Sequence, residues 1–69
     1  MSGPEGPSIT ERDLTLLRLL GEGLSTLTIA RRTEMSERTV RRRLRAICDE
    51  LGVEAPISAV VWAVRKGLL

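Results

Sequence analysis

Arg38, Arg41, Arg42 and Arg45 follow one another at i, i+3, i+4 and i+7. A helix turning by about 100° per residue gathers these four on one side. Val40, Leu44, Ile47 and Leu51, at i, i+4, i+7 and i+11, fall on the opposite arc and read as its core face, with Arg43 on a flank. Arginine is permanently charged, and its planar fork can donate two parallel hydrogen bonds to a phosphate or a guanine edge. A face that is merely solvated mixes signs or pairs acids with bases at i, i+4. Here the four arginines read as mutually repelling, with no acid on their face. Such crowding costs stability, so the pattern points to a polyanionic partner.

Charge along the chain is polarised in the same sense. The net charge is only +2, but seven arginines against two acids leave +5 between Arg31 and Arg45. Four cations against seven acids leave −3 in the remainder. One basic face on a near-neutral chain is the footprint expected of a protein that meets nucleic acid.

Other chemistries have little to work with. There is no His and no Tyr, and Cys48, expected at a half-buried helix position, is the only cysteine. General acid–base and nucleophilic constellations cannot be assembled from this set, and no glycine-rich phosphate loop is present. The chain therefore reads as a non-enzyme with no cofactor, metal or small-molecule site. A lone cysteine excludes an intrachain disulfide and suits a reducing cytoplasm. No apolar run approaches the ~20 residues that span a bilayer, and the N-terminus lacks the basic and apolar regions of a signal peptide. No membrane partner is expected, and the localisation reads as cytoplasmic.

The elements that must position the arginines are all helical. With 69 residues, 42% of them hydrophobic, and Trp62 as the sole aromatic, the chain has room for one small aliphatic core. Leucine and arginine richness with little β-branched alternation predicts an all-α fold. Residues 1–8, with two Gly, two Pro and two Ser, read as a flexible tail or the end of a linker, leaving 9–69 as the domain. Thr10 as N-cap, with Glu11 and Asp13 behind it, starts a first helix over about 11–21, with Leu16, Leu17 and Leu20 as its buried stripe. Ser25 caps a short second helix, about 26–33. Ser36 caps a third that runs to about Leu51 and stops at Gly52. Pro56 suits the first turn of a fourth, about 56–66.

The order Gly23-Leu24-Ser25, Ile29-Ala30, Ser36-x-x-Thr39-Val40 and Leu51-Gly52-Val53, preceded by Ile9-Thr10-Glu11-Arg12-Asp13 and followed by Ala59, Ala63 and Gly67-Leu68, resembles the LuxR/GerE-type (NarL/FixJ-like) domain of bacterial transcriptional regulators. The resemblance runs without gaps over about 9–69. It implies a compact four-helix fold in which helices 2 and 3 form a helix-turn-helix and helix 3, about 36–50, enters the major groove of double-stranded DNA. It also implies that Arg41, Arg42 and Arg45 reach bases. Arg32, Ser36, Arg38, Thr39 and Arg43 would then meet phosphates, Ser36 chiefly by capping the helix so that its backbone N–H groups face an anion. The family often has His where Arg43 stands, Lys-Glu at Leu27-Thr28 and an apolar residue at Thr33. Glu34 occupies the turn where many helix-turn-helix proteins have Gly, which requires either a turn avoiding positive φ or about 1 kcal/mol of strain.

Helix 4 is apolar around most of its circumference. Ala59, Val60, Ala63 and Val64 are expected to face the core with Leu68. Ser58, Val61, Trp62 and Arg65 then form a second arc, either a corner of the core at Trp62 or the surface of a weak homodimer, which the resemblance supports. The alternative function is an interaction module contacting RNA polymerase, a sigma factor or a partner regulator through exposed Leu14, Leu27 and Trp62. A sigma-factor region-4-like domain is a close DNA-binding variant.

Overall fold

The computed structural model describes residues 8–69. The expected tail therefore lies, but for Ser8, outside the described residues. Four helices follow in chain order: α1 (Glu11–Gly21), α2 (Thr26–Thr33), α3 (Glu37–Leu51) and α4 (Pro56–Arg65). No strand occurs among the described residues. α1 packs on all three other helices, α3 lies between α2 and α4, and α2 and α4 do not meet.

Each helix begins where a short polar side chain, or proline, can satisfy or remove an orphan N–H. Thr10 Oγ1 accepts from the Asp13 backbone N–H at 3.1 Å, and Asp13 Oδ2 accepts in return from the Thr10 N–H at 3.1 Å. This reciprocal capping box starts α1. Ser25 caps α2 through the Thr28 N–H, and Ser36 caps α3 through the Thr39 N–H. Ala55, before α4, offers no side-chain cap, and Pro56 at the first helical position lacks the N–H that would need one.

Helix ends follow from backbone geometry. Gly52 closes α3 with φ +73°, a conformation in which a Cβ is strained, and Val53 N–H then reaches the Cys48 carbonyl at 3.0 Å. Glu34, with φ +60°, is the one non-glycine residue in the left-handed region among the described residues. The turn between α2 and α3 thus accepts strain of about 1 kcal/mol at that residue. α1 runs through Gly21, where a Cβ would stand 3.0 Å from Val60 Cγ1, so the close approach of α1 to α4 uses the missing side chain.

The core is aliphatic, as the composition demands: Leu16, Leu17, Leu19, Ile29, Ala30, Val40, Leu44, Ile47, Ala59, Val60 and Ala63 form one buried cluster. Three expectations are corrected. Leu19 is buried and Leu20 only half-buried, because α1 is covered on several sides and its buried arc is wider than one stripe. Val64 is 56% and Leu68 45% exposed, because no element lies beyond α4 to cover them. Cys48 is buried rather than half-buried, and burial, with a smaller contribution from Asp49, raises its thiol pKa. It therefore stays a neutral core side chain at physiological pH.

Candidate nucleic-acid interface

The arginines fall where the wheel places them. Val40, Leu44 and Ile47 point α3 into the core, and Arg38, Arg41, Arg42 and Arg45 are all exposed on its outer side. These four, with Thr26 of α2, line an open groove over the buried Leu44 and Cys48. Asp49 and Glu54 stand at one end of that groove. Asp49 and Glu50 also make the last turn of α3 acidic, so only its first two to three turns present cationic surface. Among the described residues, Arg38, Arg42 and Arg45 form no ion pair with an acid, whereas Arg41 and Arg43 do.

The reading that no acid shares this face is corrected. Glu37, one turn before Arg41, accepts from Arg41 Nη2 at 2.9 Å through Oε2. The same oxygen accepts from Thr26 Oγ1 at 2.8 Å, so one carboxylate ties α2 to α3 and holds an arginine of the outer face. The Thr26 hydrogen bond first, and the Arg41 guanidinium second, keep the Glu37 carboxyl below the usual glutamate range. Its ionised form is thus favoured in the folded state, and the associated stability is lost only as pH falls through that lowered value.

Arg43 occupies a different place from its neighbours. Its Nη2 reaches Asp13 Oδ1 at 2.5 Å, and the Asp13 side chain is 2% exposed against 38% for Arg43. Asp13 is the same residue that closes the capping box of α1, so its two oxygens serve the Thr10 N–H and the Arg43 guanidinium. Instead of standing free for phosphate, Arg43 compensates the one buried charge among the described residues.

The remaining expected site residues are distributed as follows. Ser36 is exposed, and its hydroxyl is engaged with Thr39, accepting from the backbone N–H at 3.0 Å and donating to Oγ1 at 2.8 Å. Both lie at the N-terminus of α3, beside Arg38. Arg32 is exposed on α2 and lines a separate shallow groove with Glu11, Arg12, Thr15 and Thr33. On α4, Val61 and Arg65 are exposed and Ser58 and Trp62 half-buried, and together with Val53 and Lys66 they line a further groove. Trp62 packs against the core, as do Leu14 and Met35. Of the three apolar contacts expected to be exposed, only Leu27 is, at 45%. Thr26 and Glu37 were not singled out as site residues; their signal, an acid four residues before an arginine, is an ordinary helix-stabilising pattern until α2 is seen beside it.

Among the described residues no group of acids, His and Cys could hold a metal, and no helix is long and apolar enough to cross a membrane. A short capped helix, a tight turn and a longer capped helix with a cationic outer face define a helix-turn-helix domain. The model of bacterial regulatory proteins of the luxR family matches residues 7–63, and the chain belongs to that family. It is 38% identical over 61 residues to the transcriptional regulatory protein YdfI of Bacillus subtilis, covering 88% of this chain and 29% of YdfI. It is 38% identical over 55 residues to the DNA-binding transcriptional activator DevR/DosR of Mycobacterium tuberculosis, covering 80% of this chain and 25% of that protein. A putative HTH-type transcriptional regulator of the same organism is 41% identical over 58 residues, 84% of this chain and 6% of its own length. The chain thus spans less than a third of each of these relatives.

Proposed function

We propose that this domain binds double-stranded DNA sequence-specifically, as part of a transcriptional regulator, with the Arg38–Arg45 face of α3 in the major groove. The observation that carries the reading is the exposed cationic outer side of α3, set opposite its core face, in a chain of the luxR family. DevR/DosR, a relative, is named for DNA binding. Arg41, Arg42 and Arg45 are the base readers; Arg38, Thr39, Arg32 and the Ser36-capped first-turn N–H groups of α3 hold phosphates. Arg43 leaves the phosphate set, since Asp13 occupies it.

Affinity for duplex DNA should fall steeply with salt, because each neutralised phosphate releases counterions at about 0.9 per contact in the log–log slope. Two domains on one site should give a slope of roughly −4 to −8. A titration series from low to moderate salt with unchanged affinity would rule this mode of binding out.

The same reading pairs two domains on an inverted repeat through α4. Its support is an exposed apolar row, Ile57, Val61 and Val64, beside Ser58, Trp62 and Arg65. So small a patch falls short of the ~1,200 Å² of stable complexes, so pairing should be weak in solution and strengthened when adjacent half-sites raise the effective concentration. Trp62 packs on the core, which makes Val61→Asp the cleaner probe. It should abolish cooperativity on a two-half-site duplex and leave half-site affinity within about twofold. Equal loss on both duplexes would assign α4 to the fold instead. Of Leu14, Leu27 and Trp62, only Leu27 is exposed in support of the alternative of an interaction module, against four exposed arginines.

A further inference from the structure

Glu37 stands at the first position of α3, on the side that holds the reading arginines, and its Oε2 accepts from both Thr26 Oγ1 and Arg41 Nη2. An acid there is costly for a surface that meets polyanion, since it cancels one cation and repels phosphate. Three features show what it does in return. Thr26 anchors the carboxylate from a second helix, so the side chain is held at both ends. Arg41 has a side chain 66% exposed, and the Glu37 contact biases the direction in which its guanidinium points. Among the described residues, Oε1 has no hydrogen-bond partner and the side chain is 36% exposed, so an acceptor remains available beside Arg41.

We propose that Glu37 is a specificity-determining residue that lowers affinity for duplex DNA in general while sharpening its discrimination among sequences. The proposal rests on the DNA-reading role of α3 given above. Biased by Glu37, Arg41 favours one orientation of its guanidinium, which favours a guanine at one position over looser contacts with any phosphate within reach. The free carboxylate oxygen accepts from an exocyclic amino group, such as cytosine N4, and is repelled where a phosphate or a base acceptor would face it. Correct sites satisfy both; random sites meet a restrained arginine and an unpaired carboxylate, the repulsive half of specificity.

The test compares the wild-type chain with E37A and E37Q on a duplex selected from a random pool and on the unselected random pool, across a salt series. For E37A we expect affinity for the random pool to rise by roughly threefold or more and discrimination to fall by roughly tenfold, the scale of one lost base contact. The salt slope should steepen by about 0.9 as the freed Arg41 takes a phosphate. E37Q keeps the acceptor geometry without the charge and should fall between E37A and wild type. Unchanged discrimination and slope in E37A would overturn the proposal. So would equal weakening on both duplexes with a lowered melting temperature, which T26V would share if Glu37 only ties the helices together. Absence of any preference in the wild-type chain would instead remove the DNA-reading role on which the proposal stands.

Discussion

Arg43→Ala should destabilise the domain by about 2–4 kcal/mol and leave the arginines of the outer face chemically intact. Removing one partner of a buried ion pair typically costs about 3–5 kcal/mol, because the other charge stays in a medium that solvates it poorly. Asp13 is such a charge, 1% exposed, whereas the partial exposure of the Arg43 side chain, 38%, lowers the figure through solvent screening. A domain of this size has roughly 3–10 kcal/mol in total, so the variant should melt about 10–25 °C lower. Asp13→Leu combined with Arg43→Met should recover part of the loss, since apolar replacement of both partners is often near neutral, less about 1 kcal/mol for the Thr10 N–H that Asp13 no longer caps. Thermal unfolding followed by circular dichroism measures this. An Arg43→Ala protein that melts like wild type but binds duplex DNA less tightly would return Arg43 to the phosphate set.

Arg42→Ala should act in the opposite way, sparing the fold and removing recognition. The side chain is exposed, makes no ion pair among the described residues, and lies on the side of α3 away from Val40, Leu44 and Ile47. Its loss should leave the melting temperature within a few degrees, as surface substitutions usually do. A bidentate base contact discriminates by about 1–3 kcal/mol, so preference for a selected duplex over a shuffled one should fall by roughly 5- to 150-fold. Arg32→Ala, on α2, should weaken both duplexes alike. Should Arg42→Ala change only the salt slope, with discrimination preserved, Arg42 holds a phosphate and the base contacts belong to Arg41 and Arg45.

Both predictions depend on a distinction that sequence patterning reaches only in part. Thr10, Ser25, Ser36, Gly52 and Pro56 mark helix ends by local chemistry, each acting on backbone groups within a few residues, and all five serve as read. The outer position of the α3 arginines is likewise a consequence of one helix's own period. Asp13 and Arg43, separated by 30 positions, are different. An acid in a first turn ordinarily faces solvent and complements the helix dipole, and only the approach of α3 to α1 buries it and gives it the Arg43 guanidinium as counterion. The Glu37–Arg41 pair, at i and i+4 of one helix, is written in the sequence, but the Thr26 contact that reaches Glu37 from another helix is not. A wheel gives direction about one axis but not which neighbour stands there. That is also why Leu19 and Leu20 exchanged places and why Val64 emerged at the surface.

The cationic outer side of α3 is proposed to read base sequence in duplex DNA. Its most direct test is competition between a duplex enriched from a random pool and a shuffled duplex of the same composition, at one fixed moderate salt concentration. The 69-residue chain is expected to prefer the enriched duplex by at least about 10³-fold, the lower range for specific over non-specific binding. Equal affinity for the two duplexes, with the domain folded, would contradict it.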